Sequence, residues 1–317
     1  MSVIIGIDTS CYTTSVAVID LDGTKVAENR RLLAVEKGSR GISQSAALFQ
    51  HIREGSDVIA QVLAQVNKNS VVAVAVSTAP RNLADSYMPV FLAGVNAAKI
   101  LGAAYAVPIY CFSHQEGHIM AALVTAKMPK KQEFLAVHLS GGTSEILKVK
   151  TIPEGFEINI LGAGTDLHAG QFVDRVGVAL GLPFPAGVKL DELACSCKED
   201  FTVIKVAVCG RDFSFSGPES AAQRLIAKGE KAEKVACATF DCIAKTLVKT
   251  LNSAMEHTGL QNILFSGGVS GSVYLKQKLE ENLLKRAALY FAPPEYARDN
   301  ALGIAYLGKK AYYDQHI

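Results

Sequence analysis

The chain has 317 residues, 49% of them apolar and 20% charged, which at roughly 150 residues per domain is material for about two packed cores and excludes extensive disorder. Lys plus Arg total 32 against 30 acidic groups, so the formal charge is only +2. That excludes capture of nucleic acid by a whole-molecule field, and any RNA substrate must be held by local patches or a partner.

In chain order, the N-terminal residues VIIGID (3–8) and TSVAVID (14–20) are β-rich runs, and Leu21-Asp22-Gly23 is a turn into a third strand over 24–33. The chain therefore opens as a meander. This start lacks a basic region followed by a long apolar stretch, and the seven cysteines are odd in number and scattered, so a reducing, cytoplasmic setting is expected. Helices are predicted over 44–65 and 87–105, with the buried-looking strand VVAVAVS (71–77) between them and VPIYC (107–111) after them. Pro89, Gly102 and Pro108 break the apolar region from Ser86 to Ser113 into a helix and a strand, so no membrane span is expected.

The same grammar then restarts. FLAVHLS (134–140), a Gly141-Gly142 turn, SEILKVK (144–150) and EINIL (157–161) form a second meander, followed by predicted helices over 167–180, 188–194, 220–228 and 232–257. NILFSGGVSGS (262–272) reads as strand, glycine turn and helix start, and a last helix is predicted over 300–312. Two meander-led halves describe a duplicated α/β chain of the actin, sugar kinase and heat-shock ATPase architecture, two lobes around a nucleotide cleft. The expected division is an N-terminal lobe over 1–110, with the C-terminal helix 300–313 packing back on it, and a C-terminal lobe over 111–299 holding the metal and nucleotide residues. Glycine lets backbone N–H groups approach phosphate oxygens, and four segments offer such a cradle: Asp8 to Thr14, Ser140-Gly141-Gly142, Gly162 to Gly170, and Gly267-Gly268.

His114 and His118 in SHQEGHIMAAL stand four residues apart, a helical spacing that returns both imidazoles to nearly one face, as a divalent metal needs. The motif is HQEGH and not HExxH, which argues against zinc-protease chemistry. Asp299 in ARDNALGIAY is the available third ligand, with an ordinary helix N-cap as its alternative role, and two His with one Asp suit iron or zinc equally. Cys195-Ser196-Cys197 with Cys209 has no paired second motif and reads as free thiols, and Lys127, Lys130 and Lys131 read as a solvated basic loop.

Taken together, IDTSCYTTSVAV, HQEGH, LSGGTSE, AGQFVDRVGVALGLPFPAG, DFSFSG, SGGVSGS and RDNALGIAYLG resemble the TsaD family, also called Gcp and formerly O-sialoglycoprotein endopeptidase, over nearly the whole chain. The resemblance implies an actin-like fold and metal-dependent transfer of a threonylcarbamoyl group from threonylcarbamoyl-adenylate to N6 of the adenosine beside the anticodon of tRNA. It implies one divalent metal, iron or zinc, on His114, His118 and Asp299. It also implies an adenylate ligand (threonylcarbamoyl-AMP, or AMP, ADP or ATP) lined by His138, Leu139, Ser140, Gly141 and Gly142. Asp174, Gly187 and Asp191 are implied on the ribose and adenine side, and Gly267, Gly268 and Ser272 complete the nucleotide set. Implied partners are tRNA held through a complex, a TsaB-like paralogue and a TsaE-like ATPase, with a dimer left open.

The sequence also departs from the family pattern. Tyr12 and Thr13 stand where the family has two acidic residues, Thr143 stands in place of the histidine of SGGHT, Asp166-Leu167 replaces paired aspartates, Ser272 replaces an asparagine, and Ala79-Pro80-Arg81-Asn82-Leu83 replaces GPGLVG. The chain therefore reads as a divergent paralogue with two alternatives: a working transferase, or a nucleotide- and metal-binding module with a regulatory or scaffolding role.

Overall fold

The computed structural model describes residues 1–10, 12–35, 41–129 and 131–316. The chain divides into two compact units, Met1–Thr125 with Thr151–Phe156 and Arg298–Ile317, and Ala126–Lys150 with Glu157–Ala297.

In the first unit, β1 (Val3–Ser10), β2 (Thr13–Asp20) and β3 (Lys25–Leu32) form the antiparallel meander that the alternating and β-branched runs predict. Helix α1 (Gln44–Leu63), capped by the Ser43 hydroxyl, is followed by β4 (Val71–Ala79), α2 (Phe91–Tyr105), β5 (Ile109–Ser113) and α3 (His114–Thr125). Helix α2 starts four residues later than predicted because Pro89 disfavours helical backbone in the residue before it. The sheet order is β3-β2-β1-β4-β5, with β1, β4 and β5 parallel. All eight residues of β1 and of β2 are buried, as central strands covered on both faces must be. Ile5, Ile7, Val16 and Val18 pack with Val58 and Val62 of α1 and Ala98 of α2.

The second unit repeats this plan. Its elements are β6 (Glu133–Leu139), β7 (Ser144–Ile152), β8 (Gly155–Ala163), α4 (Ala169–Ala179), α5 (Gly187–Ser196), β9 (Ala207–Cys209), β10 (Asp212–Ser214), α6 (Ser216–Ala227), α7 (Ala232–Thr258), β11 (Asn262–Ser266), α8 (Val273–Leu283), β12 (Ala288–Phe291) and α9 (Pro294–Ala297). The order β8-β7-β6-β11-β12 reproduces that of the first sheet, with β6, β11 and β12 parallel. The internal duplication read from the sequence is thus present strand for strand. The apolar face of α7 centres the core, where Phe240, Leu247 and Leu251 meet Leu135 and Val137 of β6 and Phe172 of α4.

The final helix α10 (Leu302–His316) returns to the first unit, packing on β1, β4 and α3. An ideal Cβ on Gly303 would lie 1.9 Å from the Gly117 carbonyl oxygen, and one on Gly6 would lie 2.6 Å from the Ala301 carbonyl oxygen, so backbone meets backbone at both crossings. This packing corrects the division expected at residue 110. The boundary falls after Thr125 because α3 is clamped against α10, so His114, His118 and Asp299 belong to the first unit and not to a C-terminal lobe over 111–299. The short segment Thr151–Phe156 joins the first unit as well, where Lys310 Nζ donates to the carbonyls of Ile152 and Gly155.

Among the described residues no helix is long and apolar enough to cross a membrane. Cys111, Cys195, Cys197, Cys209, Cys237 and Cys242 are free thiols as expected, while Cys11 and Lys130 lie outside the described residues.

The glycine crossing gives a direct test. Gly303→Ala should lower the unfolding free energy by about 3 kcal/mol, since the added methyl meets backbone that cannot rotate away. Gly141→Ala, with nothing within 4 Å of the added carbon, should change it by less than about 0.5 kcal/mol. Equal effects in urea titrations would contradict this packing.

Candidate functional site

In the first unit the carboxyl ends of three parallel strands converge on one polar cluster. β1 contributes Asp8, β4 contributes Ser77, and β5 runs directly into α3, whose first residue is His114. In open α/β sheets this end of the strands is where ligands are held. Ser113 and Glu116 form a reciprocal capping box, Ser113 N–H donating to Glu116 Oε2 at 2.8 Å and Glu116 N–H donating to Ser113 Oγ at 3.2 Å. The glutamate of HQEGH is thereby consumed in starting α3, which orients the two histidines.

His114 Nε2 and His118 Nε2 lie 3.0 Å apart, and Asp299 Oδ1 lies 3.5 Å from the first and 3.3 Å from the second. Three atoms at these separations share a central point about 1.9 Å from each, close to the metal–nitrogen and metal–oxygen bond lengths of roughly 2.0–2.2 Å. Among the described residues this is the one cluster of three or more His, Cys, Asp or Glu that could hold a metal ion. Its donor set, two imidazoles and a carboxylate, fits zinc or iron. The N-cap alternative for Asp299 is not realised: Asn300 Oδ1 accepts the Leu302 N–H at 3.1 Å at the start of α10, leaving the Asp299 carboxylate to the histidines.

Sequence reasoning placed Asp8 in a phosphate cradle, whereas the structure turns it toward the histidines. Asp8 Oδ1 lies 3.0 Å from His114 Nδ1 and accepts the Ser77 hydroxyl at 2.5 Å. A carboxylate on the outer nitrogen of a ligating imidazole fixes its tautomer and orientation, so that Nε2 presents its lone pair inward. Asp8 Oδ2 is buried with no hydrogen-bond partner, an unsatisfied polar atom that a neighbouring cation would offset. Burial by itself opposes protonation of His114, but Asp8 and Asp299 outweigh it and carry its pKa up to about 10. Burial alone would raise Asp299, yet the two histidines hold it well below the usual carboxylate range. An alternation-only reading of β1 could not single out Asp8, because its partners come from β4 and α3.

In the second unit the glycine turns sit at the carboxyl ends of the adjacent parallel strands β6 and β11. The β6–β7 turn is closed by Ser140 N–H donating to the Thr143 carbonyl at 2.7 Å, and side chains built on Gly141 or Gly142 would meet nothing within 4 Å. The side-chain directions of both glycines therefore look into open space, while the Gly142 N–H donates to Ser140 Oγ at 3.3 Å. Gly170, at the start of α4, is packed against this turn, with an ideal Cβ 2.7 Å from the Ser140 carbonyl oxygen. Gly267, at φ 88°, passes so close to β6 that a Cβ would lie 2.3 Å from the Leu139 carbonyl oxygen, while Gly268 is open. His138 is buried at the end of β6 beside Gly267, and the Leu139 side chain belongs to the core, leaving its backbone as the part that reaches the turn.

Two expected cradles do not hold. The amides of Ala163 to Thr165 and of Leu167 to Gly170 donate to the protein itself, including Gly164 to Ser144 O at 2.8 Å, Thr165 to Phe213 O at 2.9 Å and Gly170 to Ser140 O at 3.2 Å, so that segment has no run of free amides. After Gly268 the chain makes a 3-10 turn, and the α8 N-terminus is already occupied by Asp191. Asp191 accepts from Ser272 Oγ at 2.5 Å, Val273 N–H at 2.8 Å and Tyr274 N–H at 3.1 Å. It thus acts as a helix cap, and Ser272 is its partner. Asp174 Oδ1 accepts the Ala186 N–H at 2.8 Å beside Gly187, and burial pushes its pKa up. Neither aspartate is in an ion pair among the described residues, and the nearby Lys189 pairs with Glu192.

Two outcomes follow. Asp8→Asn should weaken zinc binding by about 10- to 100-fold, measured by competition with a chelating dye, because the outer anchor of His114 is lost; unchanged affinity would contradict the anchor. Asp191→Ala should cost about 2 kcal/mol of stability through the exposed α8 N-terminus, read in urea titrations; a cost below about 0.5 kcal/mol would return Asp191 to a purely ligand-facing role.

Solved structures of low identity share the fold. HypF of T. kodakarensis is 13% identical with a TM-score of 0.65, over 99% of this chain and 48% of that one. Component A of the Acidaminococcus fermentans (R)-2-hydroxyglutaryl-CoA dehydratase is 16% identical with a TM-score of 0.60, over 98% of both chains. A ROK family glucokinase from Streptomyces griseus, solved with glucose and AMPPNP, is 11% identical with a TM-score of 0.55, over 98% of this chain and 100% of that one. The duplicated sheets are those of the actin-like ATPase fold. The family profile described as TsaD, tRNA N6-adenosine threonylcarbamoyltransferase, matches residues 26–306, and the chain belongs to that family.

Proposed function

We propose that this protein transfers a threonylcarbamoyl group from threonylcarbamoyl-AMP to N6 of the adenosine beside the anticodon in tRNA. The observation that carries the reading is the His114, His118 and Asp299 cluster, ordered by Asp8, in a chain of the TsaD family. A divalent metal held by these three side chains supplies Lewis acidity toward a carbonyl or carboxylate oxygen of the transferred group. Asp8 keeps the His114 ring in register, and the turn at Gly141 and Gly142, with no side chain in the way, leaves room for the AMP phosphate. As adenosine N6 bonds to the carbamoyl carbon, the carbon–oxygen bond to phosphate breaks. AMP leaves with that electron pair and N6 loses one proton. Asp174, anchored on the Ala186 N–H, is placed to orient a ribose hydroxyl. The chain works here with a TsaB-like paralogue and a TsaE-like ATPase, and tRNA is held by the complex, since this chain has a net charge of only +2.

A second reading rests on Thr143, whose carbonyl closes the turn where the family resemblance expects a histidine, and on the uncharged Tyr12-Thr13 pair. In that reading nucleotide and metal are bound without turnover. Reconstitution with threonine, bicarbonate, ATP, a threonylcarbamoyl-adenylate synthase, the partner proteins and tRNA, followed by nucleoside mass spectrometry, separates the two. Modified adenosine that depends on this chain is expected; its absence with active partners would overturn the transferase reading. Gly142→Val should leave the melting temperature unchanged and remove the stabilisation by AMP, about 2.7 kcal/mol at a hundredfold excess over Kd, because its side chain enters space that only a ligand would use.

A further inference from the structure

Beside the core of the second unit, residues Thr202–Val206 run outside helix and sheet before entering β9. Their burial alternates: Val203 is 57% exposed, Ile204 3%, Lys205 is exposed and Val206 is half-buried against the core. That is the period-two pattern of an extended strand. Among the described residues the backbone N–H groups of Thr202 through Val206 donate to no protein group, so the ladder is unmade on both edges of this segment. Facing it is one stripe of α6, where Gly217, Pro218 and Ala221 are small and Leu225 is apolar, leaving a groove of about 440 Å³.

Charge gives the groove a direction. Lys205 on the segment and Arg224 and Lys228, one turn apart on α6, line it, and its lining contains no carboxylate. Among the described residues none of the three cations is in an ion pair, whereas nearby Glu199 is already paired with Lys231 and Lys234. The lining contains no aromatic ring on which a base could stack.

We infer that this groove is a docking site for an extended acidic segment of a partner protein, in which carboxylates alternate with β-branched apolar side chains. Such a segment would add as a strand to Thr202–Val206, its main chain pairing with the free amides. Apolar side chains would enter between Val203 and Leu225, and carboxylates would meet Lys205, Arg224 and Lys228. The five residues Thr202–Val206 offer about 16 Å of edge, room for one short strand. The inference stands apart from the metal and nucleotide reading.

The test uses the full-length protein and a fluorescein-labelled peptide of about eight residues alternating valine and glutamate, read by fluorescence anisotropy. Three companion probes are its lysine-for-glutamate counterpart, a copy N-methylated at alternate amides, and a single-stranded RNA of similar length. Saturable binding of the acidic peptide is expected, weakened about tenfold or more by the triple variant Lys205→Glu, Arg224→Glu, Lys228→Glu, whose side chains are exposed. The lysine and N-methylated peptides should also bind about tenfold or more weakly, and alternate amides within Thr202–Val206 should gain hydrogen-exchange protection only with the acidic peptide. No saturable binding up to millimolar peptide, equal binding of the N-methylated copy, or tighter RNA binding lost in the same triple variant would overturn the inference.

Discussion

Everything at the metal cluster depends on one contact of backbone with backbone, the crossing of α3 and α10 at Gly117 and Gly303. A helix pair normally packs about 8–10 Å apart because side chains separate the axes. Here the missing Cβ lets the helices touch, so a residue just before α10 reaches two residues on the first turns of α3. Asp299 therefore lies within 3.5 Å of both imidazoles although it comes from the far end of the chain. The capping box of Ser113 and Glu116 sets where α3 begins, and Asp8 sets how its first side chain is turned. Three local devices thus bring three candidate ligand atoms within 3.5 Å of one another.

The duplication places equivalent strand ends in different service. In the first unit the carboxyl ends of β1, β4 and β5 carry acid, hydroxyl and imidazole; in the second, those of β6 and β11 carry glycine turns. The first arrangement suits a cation, and the second leaves the side-chain directions of Gly141 and Gly142 open. Replacement of the acidic pair by Tyr12-Thr13 leaves this division untouched, because neither residue is one of the three ligand atoms. Thr143 lends its carbonyl to the turn, a task that any residue type can perform.

Strands were legible because both meanders are continuous β-branched runs, and the metal pair was legible because four residues make nearly one turn of helix. Asp299 was visible as a carboxylate at a helix start, but its choice between cap and ligand depended on Asn300 taking the cap. What escaped was long-range. Asp8 and Asp191 each look like an ordinary acid in a strand or helix, and only the fold brings Ser77 and His114 to one and the α8 N-terminus to the other. The unit boundary escaped for the same reason: linkers follow packing, and α3 is held by a helix nearly two hundred positions away. The glycines between Gly162 and Gly170 looked like a phosphate cradle because sequence shows which residues permit a bare amide, and not which amides a neighbouring hairpin has already used.

The central claim is that His114, His118 and Asp299 jointly ligate one ion, with Asp8 behind His114. Crystals of the full-length protein loaded with zinc, measured at the zinc absorption edge, address it directly. A single strong anomalous peak about 2.0–2.2 Å from His114 Nε2, His118 Nε2 and Asp299 Oδ1, with Asp8 still on His114 Nδ1, is the expected result. A peak elsewhere, or none at full zinc occupancy in solution, would contradict it.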